Sequence, residues 1–474
     1  MAGPVKFRVD AIELFERPVR LRLPFRFGIV TLMETPQAFV RASVTLEGGG
    51  SAVGAAAELM VPKWFDKDAS LSNEANVDQL RRSAAMARGL YLDGVPRSAF
   101  GHFAAHHRDQ FEGAAAEGLP PLVAAFGPAL IDRALIDALG RALGRSFYDL
   151  AGGNALGLAA DPALTPDLAG FDCGRFLAGL RPADRIAARH TVGLVDPLTA
   201  ADVAERPADD LPVTLEEVVA AYGHRWFKLK VSGDLDADLD RLSRIASVLD
   251  RTAGQYRATL DGNEQYGSAD SVLELWRRMA ETPALSRLAA AIAYIEQPIA
   301  RSRTFEEPVG PLAAERPVII DEADAALDAF PRAAALGYAG ISSKTCKGVF
   351  RSLLNAARAA KWNEEEAGAS RFFLSAEDLT TQAGLAVQQD LALVNLIGLR
   401  HVERNGHHYV DGFGTAPPSE QEAFLAGHPD LYRATEDGPR LAIAAGDLSI
   451  ASLAHPGFAT TAHPDFATML EMKG

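Results

Sequence analysis

Apolar positions near the start of the chain recur at every second residue, which is the period of a strand with one buried face. Residues 39–46 show this period most clearly, with the apolar members Val40, Ala42, Val44 and Leu46. The glycines at 48–50 predict a turn after this strand. Residues 5–9 carry a shorter signal of the same kind. An antiparallel sheet is therefore predicted to begin the fold, with ordered loops at 23–28 and 61–66, where Pro and aromatic residues gather.

A helical period follows the strands. Within residues 129–143 one face collects the apolar side chains of Ile131, Leu135, Ala138, Leu139 and Ala142. Spacings of three and four residues predict a helix, and Gly144 predicts its end. Residues 1–155 are therefore predicted to form an α+β domain. Residues 156–187 are rich in Ala, Pro, Gly and Asp without a period, which predicts a linker or an insertion.

From residue 188 onward, short β-rich runs alternate with helical stretches. The predicted strands are 190–194, 226–231, 258–261, 293–296, 318–321, 340–343, 372–375 and 396–400. Eight alternating units predict a closed parallel barrel over residues 188–411. An open doubly wound sheet is the alternative, but no G-x-G-x-x-G motif follows the first strand. Residues 412–474 show little period and are expected to pack back on the first domain.

Length, composition and charge exclude several classes of protein function. The chain has 474 residues, 48% of them hydrophobic and 23% charged, as in a globular protein with more than one domain. A net charge of −15 without a basic run argues against nucleic acid as a partner. Two cysteines are too few for a disulfide scaffold. The start of the chain is not apolar and no apolar run reaches membrane-spanning length, so we expect a cytoplasmic protein without a membrane partner.

Ionisable residues end five consecutive predicted strands: Lys228 and Lys230, then Asp261, Glu296, Asp321 and Lys344. Each is about one β/α unit from the next, so they should converge at the mouth of the barrel. Three carboxylates on neighbouring strands suit a hard cation such as Mg²⁺. Such an ion would bind a substrate carboxylate and stabilise an enolate, while a neutral lysine removes the α-proton.

Simpler interpretations exist for each residue alone. An Asp at a strand end is commonly a helix cap or turn former, and a K-x-K pair is commonly solvated. The order lysine, three carboxylates, lysine on consecutive strands favours a catalytic site instead. Two other functions remain open: a metal-independent aldolase-type barrel with a Schiff-base lysine, and a binding barrel without catalysis.

The same stretches resemble the enolase superfamily, and within it the muconate lactonizing enzyme subgroup of mandelate racemase/muconate lactonizing proteins. The similar pieces are Phe227-Lys-Leu-Lys230, Leu260-Asp-Gly-Asn263, Tyr294-Ile-Glu-Gln-Pro298, Ile320-Asp-Glu322 and Ser343-Lys-Thr-Cys-Lys-Gly348. The resemblance implies an α/β fold, a modified TIM barrel of (β/α)7β type with an N-terminal α+β capping domain. It also implies that cap segments 24–34 and 57–65 close over a small carboxylate substrate, and that the protein is a homo-oligomer.

The resemblance further implies a role for each site residue. Lys230 is the expected base, Lys228 its neighbour that contacts the substrate carboxylate, and Lys344 the opposing acid or base. The expected ligands of Mg²⁺, or of Mn²⁺ in its place, are Asp261, Glu296 and Asp321, with Glu322 as an alternative to Asp321. Residues expected to support the site or to contact the substrate are Asn263, Glu322 and Glu377.

Some stretches of the chain depart from the pattern of the enolase superfamily. Residues 196–212 look inserted, and Cys346-Lys-Gly348 replaces a Gly-Gly pair after the sixth-strand lysine. The mandelate racemase subgroup would need a His after the seventh strand and an Asp after the sixth, where this chain has Glu377 and Lys344. We expect Cys346 to be a packed small residue. His401, His407 and His408 could suggest a metal-binding tract, but adjacent histidines on a strand would point to opposite faces, so they are predicted to lie on the surface instead.

Overall fold

The computed structural model describes residues 3–27, 30–366, 368, 370–379 and 383–473. The N-terminal region contains three antiparallel strands and four helices: β1 (Phe7–Phe27), β2 (Val30–Leu46), β3 (Ser51–Leu59), α1 (Asn73–Tyr91), α2 (Ala99–Ala116), α3 (Pro121–Leu143) and α4 (Phe147–Gly152). None of the helices among the described residues has both the length and the apolar character needed to span a lipid bilayer.

The first strands are longer than predicted. Residues 23–27 continue β1 rather than forming a loop, with Phe25 opposite Leu32 and Arg26 opposite Thr31, while residue 28 of the predicted loop lies outside the described residues. The pairing register shifts between Arg20 and Phe25. Because proline cannot donate to a sheet, Pro24 is accommodated at this irregularity instead of ending the strand.

Helix α3 also exceeds its prediction, since it begins at Pro121 rather than at residue 129. Proline is favoured in the first turn, where its missing N–H has no helical acceptor. The helix ends where predicted, with Gly144 in the left-handed conformation at φ 63°. Its buried face packs on β3 so closely that a Cβ atom at Gly54 would lie 2.2 Å from the carbonyl oxygen of Ala134.

The segment predicted as a linker contains structure. A 3-10 turn spans Pro166–Leu168, and helix α5 (Cys173–Gly179) follows, capped by the Asp172 carboxylate, which accepts from the Arg175 amide. Asp167 forms an ion pair at 2.7 Å with the Arg358 guanidinium. Local capping and this ion pair order a stretch that has no hydrophobic period.

The second region is built of eight parallel strands: β4 (Arg185–Val192), β5 (Trp226–Lys230), β6 (Arg257–Asp261), β7 (Ile292–Glu296), β8 (Val318–Ile320), β9 (Gly340–Ser343), β10 (Phe373–Ala376) and β11 (His401–Glu403). The intervening helices are α6 (Leu215–Tyr222), α7 (Leu235–Thr252), α8 (Ala269–Glu281), α9 (Ser286–Ala291), α10 (Gly310–Glu315), α11 (Ala329–Ala335), α12 (Val349–Glu365) and α13 (Leu385–Leu396). Strands β4 to β10 pair in sequence, and β11 pairs with β4.

Two predicted barrel strands were misplaced. The first strand begins at Arg185, five residues before the predicted start. The last was predicted over 396–400, but Leu396 ends α13 and β11 begins at His401. The apolar residues that suggested a strand belong to the buried end of α13. For short apolar runs, periodicity alone does not distinguish a buried strand from a buried helix.

The C-terminal segment contacts both regions. It contains α14 (Gly406–Tyr409), α15 (Pro418–Gly427) and five short strands: β12 (Tyr432–Arg433), β13 (Arg440–Leu441), β14 (Ile443–Ala444), β15 (Asp447–Ser449) and β16 (Leu470–Glu471). Strand β16 pairs with β1, and β15 pairs with β4. The Phe458 ring stacks on Phe147 with centres 4.0 Å apart.

Candidate active site

The strand ends bring the six predicted ionisable residues together. In chain order, on or directly after β5 to β9, they are Lys228, Lys230, Asp261, Glu296, Asp321 and Lys344. All six are buried. Four of them line one narrow cavity, and the other two, Asp261 and Glu296, contact Lys228 directly. Parallel strands place their carboxyl ends at one mouth, which explains this convergence.

Lys228 lies at the centre of a cluster of four carboxylates. Its Nζ atom is 2.9 Å from Asp261 Oδ2 and 3.1 Å from Glu296 Oε1. It also donates to Glu403 Oε2 at 3.2 Å and to Glu377. Burial opposes the ammonium charge, but these carboxylates outweigh it and hold the pKa of Lys228 well above its usual value. The centre of the barrel mouth is therefore an environment that favours positive charge.

Three of these carboxylates are grouped as metal ligands would be. Oxygen atoms of Asp261, Glu296 and Glu377 lie within 4.8 Å of one another. Burial and the charge of Glu377 raise the pKa of Glu296 well above its usual range. Glu296 Oε2 is buried, and no hydrogen-bond partner for it occurs among the described residues. A crowded set of carboxylates with an unpaired oxygen fits a divalent cation, which prefers such oxygen ligands.

Asp321, the predicted third ligand, lies outside this trio and is paired with two lysines. Lys344 Nζ is 2.9 Å from each of its carboxylate oxygens, and Lys347 Nζ is 2.9 Å from Oδ1. Lys344 also donates to Glu377 Oε2 at 2.9 Å. Although burial opposes its charge, Asp321 and Glu377 hold the pKa of Lys344 well above its usual value. Lys344 thus bridges the two carboxylates that are candidates for the third ligand.

Lys230 has a separate set of partners. Its Nζ atom is 2.5 Å from Asp261 Oδ2 and 2.5 Å from Asn263 Oδ1. Asn263 in turn donates to Glu322 Oε1 at 3.0 Å. Burial, followed by the nearby charge of Asp321, raises the pKa of Glu322 to about 7. Asn263 and Glu322 therefore support the amine of Lys230 from the wall of the cavity.

The turn after β7 positions Asp321. Gln297 has a left-handed backbone at φ 32°, which non-glycine residues rarely adopt. Its Oε1 atom accepts hydrogen bonds from the backbone amides of Asp321 at 2.8 Å and Ala323 at 3.0 Å. Strained backbone of this kind persists where the surroundings fix it, and it commonly occurs at functional sites.

The N-terminal region supplies one wall of the cavity: Phe25, Val61 and Trp64. Lys344 Nζ lies 5.3 Å from the centre of a Trp64 ring. Segments 24–34 and 57–65, predicted to close over the substrate, thus contribute side chains to the cavity, although residues 28 and 29 lie outside the described residues.

Three charged residues of the site were not predicted. Arg189 donates to Glu377 Oε1 at 3.1 Å, and Glu403 accepts from Lys228. Lys347 lies in the turn after Lys344. Arg189 precedes the predicted first strand by one residue and Glu403 follows the predicted last strand, so both were missed through the strand boundaries. Correct boundaries would have revealed them as inward-facing strand residues.

Among the other residues considered from the sequence, Cys346 is buried, as expected. The prediction that His401, His407 and His408 lie on the surface is wrong. His408 is buried and the other two are half-buried. The prediction assumed a strand, but residues 406–409 form α14, and the His401 ring stacks on Trp226 with centres 3.7 Å apart.

Comparisons with known proteins support the fold. No protein-family model matches the chain, and no curated protein sequence matches it. Among solved structures, a muconate lactonizing enzyme from Pseudomonas fluorescens, complexed with muconolactone, is 19% identical with a TM-score of 0.61, covering 97% of each chain. A mandelate racemase/muconate lactonizing protein from Herpetosiphon aurantiacus is 17% identical with a TM-score of 0.59, covering 95% of this chain and 98% of that one.

A dipeptide epimerase from Methylococcus capsulatus, complexed with Mg and the dipeptide L-Arg-D-Lys, is 20% identical with a TM-score of 0.54. That alignment covers 93% of this chain and 99% of that one. At these identities the likeness concerns the fold. The predicted modified (β/α)7β barrel with an N-terminal α+β region is confirmed.

Proposed function

We propose that this protein is a magnesium-dependent enzyme of the enolase superfamily that removes a proton from the carbon next to a carboxylate. The observation that carries the proposal is a single cavity in which Lys230 and Lys344 meet a cluster of buried carboxylates. The fold, shared with a muconate lactonizing enzyme and a dipeptide epimerase, supports it. Isomerisation, cycloisomerisation, epimerisation and elimination can all begin from the resulting enolate.

Asp261 and Glu296 would hold the metal ion, together with either Asp321 or Glu377. When bound, Mg²⁺, or Mn²⁺ in its place, would supply a Lewis acid for the substrate carboxylate and for the charge that develops on the enolate. The unpaired Oε2 atom of Glu296 supports this assignment, because a buried carboxylate oxygen without a partner is otherwise costly.

Lys230 is the proposed base, since Asp261 and Asn263 fix its amine at the cavity wall. A base must be neutral to accept the α-proton of the substrate. Lys344 lines the same cavity but binds Asp321 and Glu377, so its ammonium can return a proton to the carbon or to a leaving group. Lys228 would contact the substrate carboxylate.

The proposed substrate is a small carboxylic acid. Lysines supply the charge that a carboxylate needs, and Phe25, Val61 and Trp64 offer apolar contact to the rest of the molecule.

Exchange of the α-proton in D₂O tests the proposal. The protein would be incubated with Mg²⁺ and pools of muconates, dipeptides, N-acyl amino acids and sugar acids, and exchange followed by NMR. We expect exchange that EDTA abolishes and that Lys230→Ala slows by about 10²- to 10⁴-fold, the usual contribution of a general base. Lys6→Ala, at an exposed lysine, is the matched control and should exchange like the parent protein.

Exchange that survives both EDTA and Lys230→Ala would rule out the proposed mechanism. Borohydride trapping of a lysine adduct would then favour the Schiff-base alternative, and ligand binding without turnover would favour a non-catalytic barrel. The high pKa of Lys344 argues against the Schiff-base reaction at that residue, because the amine must be neutral to attack a carbonyl.

The third metal ligand can be identified by a pair of variants. If Asp321 is the ligand, Asp321→Asn should weaken Mg²⁺ binding by about 10-fold or more, and Glu377→Gln should weaken it less; the reverse order identifies Glu377. Calorimetric titration with Mg²⁺, and electron paramagnetic resonance with Mn²⁺, measure the two affinities. Equal affinity of both variants and the parent protein would exclude both carboxylates.

A further inference from the structure

Three histidines from separate parts of the chain meet outside the barrel. Arg189 and Thr191 on β4 contact Glu377 and Glu403 in the barrel interior. Successive strand residues point to opposite faces, so His190 between them points outward. There it meets His224, just before β5, and His407 on α14. This group, His190, His224 and His407, is called the histidine cluster below.

The cluster has the geometry of a metal site. One ring nitrogen of each histidine lies within 4.8 Å of those of the other two. Ring centres are 5.3 Å apart for His190 and His224, 5.5 Å for His190 and His407, and 5.2 Å for His224 and His407. A zinc ion bonded tetrahedrally at about 2.0–2.1 Å requires nitrogens roughly 3.3 Å apart, so each pair of nitrogens would have to approach by up to about 1.5 Å when the ion binds.

The hydrogen bonds of the cluster leave ligand atoms free. His224 Nδ1 lies 3.0 Å from the carbonyl oxygen of Ala188, to which it donates. Its Nε2 atom, His190 Nδ1 and both ring nitrogens of His407 are buried, and no hydrogen-bond partner for them occurs within the described part of the chain. A metal-binding histidine typically donates its second nitrogen to a carbonyl or carboxylate, as His224 does.

The surroundings keep these rings neutral, as metal binding requires. Burial lowers the pKa of His224 to about 4 and the pKa values of His190 and His407 well below their usual range. Three nearby arginines are each paired with an acid: Arg22 with Asp209, Arg404 with Asp390, and Arg440 with Asp411. Arg433, on the cavity beside His407, is exposed to solvent, which screens its charge.

We propose that His190, His224 and His407 form a second metal site, which binds a divalent transition ion of the zinc class. Imidazole nitrogens suit zinc, whereas Mg²⁺ prefers oxygen, so this site would not compete with the carboxylate cluster for the same ion. Three histidines leave the fourth zinc position for water. His407 also lines a small cavity with Tyr222, Arg433 and Arg440.

The bound ion would link the two ends of the barrel. His190 lies on the first strand, and His407 follows the last strand, β11, which pairs with β4. His224 precedes the second strand. Such an ion would therefore stabilise the pairing of β4 with β11, at which the barrel closes.

Zinc titration in the presence of excess Mg²⁺ tests the site. Metal-stripped protein would compete with a chromogenic chelator for Zn²⁺, and we expect one tight equivalent. His407→Gln, at a half-buried position, should weaken zinc binding by about 100-fold. His455→Gln, at an exposed histidine outside the cluster, is the matched control and should bind zinc like the parent protein.

Cobalt substitution gives a readout that needs no variant. We expect Co²⁺ to produce the intense visible bands of tetrahedral coordination in the Mg²⁺-loaded parent protein, and zinc to displace them. Absence of both a tight zinc equivalent and these bands would overturn the proposal. Equal zinc affinity of His407→Gln and the parent protein would also overturn it, because the zinc would then be bound elsewhere.

Discussion

Arg189 is a fully buried side chain that fixes Glu377 in the barrel interior. Its guanidinium donates to Glu377 Oε1 at 3.1 Å and to the hydroxyl of Tyr294 at 2.8 Å. We expect Arg189→Met to lower the free energy of unfolding by about 1–3 kcal/mol, because it removes the buried hydrogen bonds to Glu377 and Tyr294 while Lys228 and Lys344 remain as partners of Glu377. The control is Arg8→Met, which removes an exposed pair with Asp10 and should cost about 1 kcal/mol or less.

Urea unfolding of the three proteins measures these differences. Similar losses for Arg189→Met and Arg8→Met would show that the buried contacts contribute no more than a solvated ion pair. The comparison tests the energetic importance of a residue that the strand pattern did not reveal.

Single residues differ in how well the sequence predicts them. Lys230, Asp261 and Glu296 could be placed because each ends a short strand whose boundary is clear. The ion pairs within the site could not be predicted. The side chains of Lys228 and Glu377, for example, meet across the barrel although their strands are far apart in sequence. The grouping of Glu377, rather than Asp321, with the other two carboxylates depends on such contacts.

Helices α1 and α3 are in such close contact that one glycine is required between them. A Cβ atom at Gly127 on α3 would lie 2.3 Å from the Ser83 carbonyl oxygen of α1. We expect Gly127→Ala to destabilise the protein by about 1–3 kcal/mol through overpacking. Gly89 on α1 has open space around its Cβ position, so Gly89→Ala should instead stabilise the helix by about 0.5 kcal/mol or more.

Thermal unfolding followed by circular dichroism compares these two alanine variants. Equal shifts of the melting temperature would contradict the close approach of α1 and α3. The same substitution in two helices controls for the general effect of replacing glycine with alanine.

Among the elements, the short barrel strands were predicted better than the long hairpin. Strand 340–343 was predicted with its observed bounds, because flanking turns limit a run that is buried on both faces. Strand β1 was underestimated, since its pairing with β2 tolerates Pro24 at a register shift that the sequence does not signal. Tertiary pairing therefore decides where such strands end.

At the scale of the whole molecule, two buried histidines should each make the folded protein less stable in mild acid. Burial lowers the pKa of His102 and of His428 to about 4. Below pH about 6.5 the unfolded chain binds a proton at each imidazole, whereas the folded protein does not until about pH 4. Stability should therefore fall as the pH falls through this window, by about 1.4 kcal/mol per pH unit for each such histidine.

The variant His102→Gln should reduce the change of the free energy of unfolding with pH by about 1.4 kcal/mol per pH unit, the contribution of one proton. Glutamine keeps a side chain that can donate to the Phe7 carbonyl oxygen. His455→Gln, at an exposed position, should leave the slope unchanged. Urea unfolding at pH 6.5, 5.5 and 4.5 measures how the free energy of unfolding of each variant changes with pH. A slope in His102→Gln equal to that of the parent protein would show that His102 does not contribute.

The packing of the C-terminal segment on the N-terminal region has a consequence for protein synthesis. Asp137 on α3 accepts the backbone amide of Phe458 at 2.7 Å, and Phe147 stacks on the Phe458 ring. The ribosome makes Phe458 roughly 300 residues after Phe147, a delay of about 15 to 60 s at ordinary rates of elongation. During that interval the emerging chain exposes the surface of α3 and α4 that Phe458 later covers, and transiently exposed apolar surface of this kind is what chaperones bind.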